Sequence, residues 1–80
     1  MYYLYILKCA DNSLYTGITN DLKKRINAHE KGNGSKYVRS RLPFKVVYTE
    51  KVGTKSKALK REHQIKSWSH QQKIKKLGLE

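Results

Sequence analysis

Two phenols, a guanidinium, an imidazole and one carboxylate stand in this chain at spacings that could handle a phosphodiester. Tyr5 and Tyr15 are ten residues apart, Arg25 follows ten residues later, and His29 comes one helical turn beyond it. Glu62 stands far downstream. A guanidinium offers planar, paired N–H donors to phosphate oxygens. An imidazole titrates near neutrality, and a carboxylate can hold a hard cation. Each residue also has a plainer reading. The tyrosines can be cross-strand packing, Arg25 a solvated basic face, and Glu62 one half of an ion pair.

Such groups work together only if the backbone brings them together. Tyr2 to Cys9 is aromatic and aliphatic enough to predict a strand, Ala10-Asp11-Asn12-Ser13 is a turn, and Leu14 to Thr19 predicts a second strand. A hairpin of this kind puts Tyr5 and Tyr15 close to opposite one another on one face. Gly17 would leave room there for a backbone or a ligand. Asn20 is the expected cap of a helix from Asp21 to about Lys31, with Gly32 ending it. Leu22 and Ile26 form its inward stripe, and Arg25 and His29 share a bordering face.

The segment from Gly32 to Arg41 reads as a basic loop, and Pro43 precedes a third strand over Phe44–Tyr48. Thr54 caps a helix to about Ser67 whose expected buried face is Ala58, Leu59 and Ile65. Ser69 opens a last short helix anchored by Ile74 and Leu77. Glu62 falls inside the apolar stripe, where a bare carboxylate is costly. A basic neighbour, Lys66 at i+4 or a hard cation must satisfy it. The expected class is α+β, a small three-stranded, mainly antiparallel sheet flanked by helices, in the order ββαβαα. Eighty residues make one domain, 1–80.

Charge narrows the partners. Eighteen Lys and Arg against six Asp and Glu leave a net +12, an excess that favours polyanions. Nucleic acid leads, with an anionic membrane surface or a ribosomal setting as alternatives. Lys23, Lys24, Lys31, Lys36, Arg39 and Arg41 flank the candidate site, and the basic loop from Gly32 to Arg41 could track a phosphate backbone, with Tyr37 between charges to stack one base. Lys73, Lys75 and Lys76 make a second patch. Phosphate contacts position a strand without reading it, so weak sequence specificity is expected. Cys9 is alone, which excludes an internal disulfide and fits a reducing cytoplasm. The apolar opening is too short to span a bilayer and lacks a signal-peptide pattern, so neither feature is expected, and nucleic acid rather than a membrane is the expected partner. Cys9, His29, His63 and His70 lack zinc-type spacing, and no nucleotide-cradling glycine loop occurs.

The ordered set of Tyr3-Leu4-Tyr5, Tyr15-Thr16-Gly17, Arg25, His29 and Glu62 resembles the GIY-YIG nucleases. The stretch from Leu14 to His29 is similar to that family's central segment, and Ala58-Leu59-Lys60-Arg61-Glu62 is similar to its metal-ligand helix. Tyr3 stands where the family name has glycine, Thr16 where it has isoleucine, and no asparagine follows Glu62. The resemblance implies a small stand-alone nuclease that cuts DNA, or RNA, with one Mg²⁺ or Mn²⁺ held by Glu62. Arg25 would grip the scissile phosphate. One of Tyr5 and Tyr15 would deprotonate a water and the other orient it, with Tyr15 favoured as base and His29 an alternative proton carrier. The competing function is a non-catalytic nucleic-acid-binding adaptor on the same scaffold, and a third is a subunit that cuts only beside a partner protein.

Overall fold

A computed structural model describes residues 1–79; Glu80, the last residue of the expected domain, lies outside the described residues. β1 (Tyr2–Cys9) and β2 (Leu14–Thr19) form the hairpin, and β3 (Phe44–Gly53) pairs with the other side of β1. All pairings are antiparallel, in the order β2-β1-β3. Between the hairpin and β3 lie α1 (Leu22–Glu30) and a single turn, α2 (Lys36–Arg39). After β3 come α3 (Lys55–Lys66) and α4 (His70–Leu77). The order ββαβαα therefore holds, with one added turn of helix in the segment expected to be a loop.

β1 is the centre of the sheet, and its alternation splits the protein into two cores. Leu4 and Ile6 point to one face and pack with Ile65 of α3, ringed by Leu14, Ile18, Val47, Trp68 and Leu77. Tyr5 and Leu7 point to the other face and pack with Val38 of α2, beside Tyr15, Leu22, Ile26 and Phe44. Both faces of β1 are thus covered, so four of its consecutive residues, Leu4 to Leu7, are buried.

Local chemistry starts and stops the helices. The Asp21 carboxylate accepts from the Lys24 amide at 3.1 Å, so Asp21 caps α1 in place of the expected Asn20, one residue earlier. Gly32 lies just past the helix at φ +80, which a residue without Cβ adopts without strain. Thr54 caps α3, and a Ser69–Gln72 capping box opens α4. α2 forms because Ser35 accepts from the Val38 amide and Val38 is driven wholly into the core.

Two further expectations are corrected. β3 extends to Gly53, beyond Tyr48, because it follows β1 along its full length, with register shifts beside Tyr2 and Ile6. Its edge position explains the polar residues that disguised it. Leu59 is 47% exposed and lies off the buried stripe, which runs through Ala58, Glu62 and Ile65 at helical spacing. No helix among the described residues is long and apolar enough to cross a membrane.

Candidate active site

The hairpin register decides how the two tyrosines meet. Tyr5 faces Gly17 and Tyr15 faces Leu7, so the phenols are diagonal neighbours on one face rather than a directly opposed pair. Their ring centroids are 6.4 Å apart. The Tyr5 ring lies across β2 at Gly17, where an added Cβ would come within 2.5 Å of the phenol oxygen. The room that Gly17 leaves is therefore filled by Tyr5 itself, not by a substrate.

α1 brings His29 onto the same face. It is 1% exposed, as is Tyr5, and its Nε2 lies 2.8 Å from the Tyr5 hydroxyl. The Tyr15 ring packs edge-on against His29 with centroids 5.5 Å apart. Nδ1 of His29 is buried and has no hydrogen-bond partner among the described residues. Gly34 closes that side; a Cβ there would reach within 2.2 Å of Nδ1. Nothing in the loop's sequence marked Gly34 as essential, because its role depends on a ring five residues away in the chain.

Electrostatics separate the roles these groups can take. Burial pushes the Tyr5 phenol well above its ordinary value; Tyr15 adds to this, Arg25 opposes it and Glu62 adds to it. α3, which carries Glu62, and α1, which carries Arg25, cover opposite faces of the sheet, and no hydrogen bond or ion pair among the described residues joins either group to the two tyrosines. Burial, reinforced by Arg25, lowers His29 below the usual imidazole range. The expectation that His29 titrates without adjustment is corrected accordingly.

Glu62 faces inward with its side chain 20% exposed, and Lys66 approaches it at 3.4 Å, one of the three partners foreseen for it. No group of three or more His, Cys, Asp or Glu side chains converges among the described residues. Arg25 and Lys24 are exposed on α1 and line a 230 Å³ hollow with Thr19, Asn20, Asp21 and Ala28. A larger groove, about 760 Å³, runs between α1 and Thr49 of β3 and includes none of the tyrosine cluster. Neither hollow is lined by Tyr5, Tyr15, His29 or Glu62; the smaller is the one that Arg25 lines.

The remaining expected binding residues divide. Lys36 and Arg39 are exposed on α2. Tyr37 is 38% exposed but already has two ring partners. One face of its ring stacks on Tyr15 at 5.7 Å between centroids, and the Arg41 guanidinium sits over the ring at 3.8 Å. Arg41, one of several basic residues in its loop, had no sequence signal that distinguished it.

Comparison with known proteins shows which family the chain is similar to. Residues 1–75 match the family model described as the GIY-YIG catalytic domain. A UPF0213 protein of Staphylococcus saprophyticus is 53% identical over 74 residues, covering 92% of this chain and 90% of that relative. A UPF0213 protein of Natronomonas pharaonis is 47% identical over 72 residues, covering 90% of this chain and 85% of that relative. The solution NMR structure of a UPF0213 protein from Bacillus halodurans superposes with a TM-score of 0.64 at 41% identity, over 100% of this chain and 86% of that one. With the family model spanning nearly all of its length, the chain belongs to the GIY-YIG family, among the small stand-alone UPF0213 proteins.

Proposed function

We propose that the protein is a divalent-metal-dependent endonuclease that hydrolyses DNA phosphodiester bonds. Its expected substrates are single-stranded or branched forms of the kind met in repair and recombination, read with weak sequence specificity. The observation that supports this best is the joining of Tyr5, Tyr15 and His29 in one cluster on one face of the sheet.

The division of labour follows from burial. Tyr5 is sealed in and keeps its proton, so it serves as an orienting group. Tyr15, half-buried at the surface of the cluster, is the base. Neutral His29 carries one ring proton. A buried N–H without an acceptor is costlier than a spare lone pair, so the proton belongs on Nε2, which donates to the Tyr5 oxygen. Arg25, exposed beside the small hollow, binds the scissile phosphate through its planar fork, and Lys24, Lys36 and Arg39 hold flanking phosphates.

A metal ion fits Glu62. Its carboxylate is mostly enclosed, and its one ion-pair partner is a flexible lysine. A lone carboxylate suits a hydrated Mg²⁺ or Mn²⁺, whose other ligands are waters and phosphate oxygens, and does not suit zinc. When bound, such an ion neutralises charge on the phosphate and its leaving oxygen.

The test is cleavage of single-stranded, duplex and branched DNA, and of RNA, with Mg²⁺, Mn²⁺ or chelator. Hydrolysis that needs metal and disappears in Glu62→Ala and Tyr15→Phe, with binding retained, is expected. Tight binding without cleavage of any substrate by pure protein would instead establish the adaptor. Affinity should fall steeply with salt in either case, through counterion release.

A further inference from the structure

The stack that begins at Tyr5 does not end at Tyr15. Tyr37 lies against the outer side of Tyr15, and Arg41 lies over Tyr37. Arg41 is itself fixed at four points. Its Nε donates to the Asp11 carboxylate at 2.9 Å, and its Nη1 donates to the Tyr37 carbonyl at 3.1 Å and to Ser40 Oγ at 2.9 Å. Its carbonyl accepts from the Ala10 amide at 3.0 Å.

Asp11 and Ala10 belong to the turn that joins β1 and β2, the two strands bearing Tyr5 and Tyr15. The contacts therefore close a ring: hairpin turn to Arg41, Arg41 to Tyr37, Tyr37 to Tyr15, and Tyr15 back along β2 to the turn. We infer that Asp11, Arg41 and Tyr37 form a clamp that fixes the Tyr15 ring, making Arg41 and Tyr37 positioning residues for the reaction. This deepens the nuclease reading and rests on it only for the rate.

The physical need for a clamp is visible in the elements. α2 is one turn long, too short to hold a tyrosine by its own helical stability. Tyr15 is only half-buried and packs on His29 from one side, so its outer side would be free without Tyr37. The guanidinium is suited to the task because one planar group can stack on a ring while its edges donate in fixed directions. A lysine would supply charge alone. The ion pair is partly exposed, at 34% for Arg41 and 49% for Asp11, so its main effect is geometric rather than stabilising.

The test uses the full chain and the variants Tyr37→Leu, Tyr37→Phe, Arg41→Ala, Arg41→Lys and Asp11→Asn. Two quantities are read: the NMR signals of the Tyr15 ring with its contacts to His29, and the single-turnover rate beside Kd for labelled single-stranded DNA. Tyr37→Leu and Arg41→Ala are expected to shift the Tyr15 signals and to slow cleavage by about 10- to 100-fold with Kd unchanged. Arg41→Lys should not restore either quantity, whereas Tyr37→Phe should keep both. Asp11→Asn, on an exposed turn, should move the Tyr15 signals with the fold intact. Unmoved Tyr15 signals in all of these variants would overturn the clamp. So would a rise in Kd that matches the fall in rate, since Arg41 and Tyr37 would then be touching the DNA. A protein that cleaves nothing leaves the NMR arm decisive and refutes only the nuclease reading.

Discussion

β1 supplies both faces of the sheet, and the two faces hold different kinds of side chain. Toward α3 and α4 it sends Leu4 and Ile6, which meet Ile65 in an aliphatic layer. Toward α1 and α2 it sends Tyr5 and Leu7, which meet His29, Tyr15 and Val38. The aliphatic layer gains its free energy by removing apolar area from water. The second layer gives up more of that gain, because a phenol and an imidazole are buried with one imidazole nitrogen unpartnered among the described residues, whereas the aliphatic side buries only the small unpartnered hydroxyl of Thr16. A thin domain tolerates this arrangement when stability is concentrated on one face and chemistry on the other.

Substitutions on the two faces should therefore separate rate from stability. Tyr15→Phe is expected to lower the cleavage rate by about 100-fold or more, the usual weight of a positioned proton acceptor, with little change in unfolding free energy. Ile65→Ala is expected to lose about 2–5 kcal/mol of stability, a large share of what a small domain has. Urea unfolding and single-turnover kinetics on both variants would check this. A rate loss in Tyr15→Phe that merely tracks unfolding would erase the distinction.

The glycines sharpen the contrast, because two of them hold the chemical layer together. Gly17→Ala would drive a methyl into the Tyr5 phenol and Gly34→Ala would drive one into His29. Each is expected to cost about 1–3 kcal/mol, as overpacking does, and to break the Tyr5–His29 hydrogen bond. Thermal unfolding and the aromatic NMR spectrum would show it. Unchanged ring contacts in either variant would mean that the backbone yields and the packing is looser than described.

The smallest expected effect is in the pH dependence. The folded value of His29 is depressed, so the unfolded chain takes up the proton first on acidification. Stability from this source is complete above the unfolded value, about 6.5, and is lost as pH falls through it. Tyr5 is raised, so its contribution is complete below the unfolded phenol value, about 10, and is lost as pH rises above it. Urea titrations should show an acid limb that flattens in His29→Phe and an alkaline limb that flattens in Tyr5→Phe. Limbs identical to those of the unsubstituted chain would deny that the buried pair differs from ordinary surface groups.

Much of this was legible in the residues. Alternation and turn chemistry fix the hairpin, the caps at Thr54 and Ser69 mark the later helices, and helical spacing places Glu62 in the buried stripe. Those signals are local, set by a side chain and the few backbone groups within its reach. The misreadings arose where a distant partner decides. Tyr37 looked free because its two stacking partners are far from it in sequence or structurally unmarked. β3 looked short because an edge strand is specified by its neighbour more than by its own pattern.

The sequence by itself determined the class of the fold, the family and which side chains carry ionisable or hydrogen-bonding chemistry, because composition, periodicity and motif order are properties of the chain. Only the tertiary structure decided which phenol is sealed and which is open, which glycine makes room for which ring, and that Arg41 reaches Asp11. Those outcomes depend on burial and on distances between residues far apart in sequence, and both are set when the sheet and its two helical layers pack.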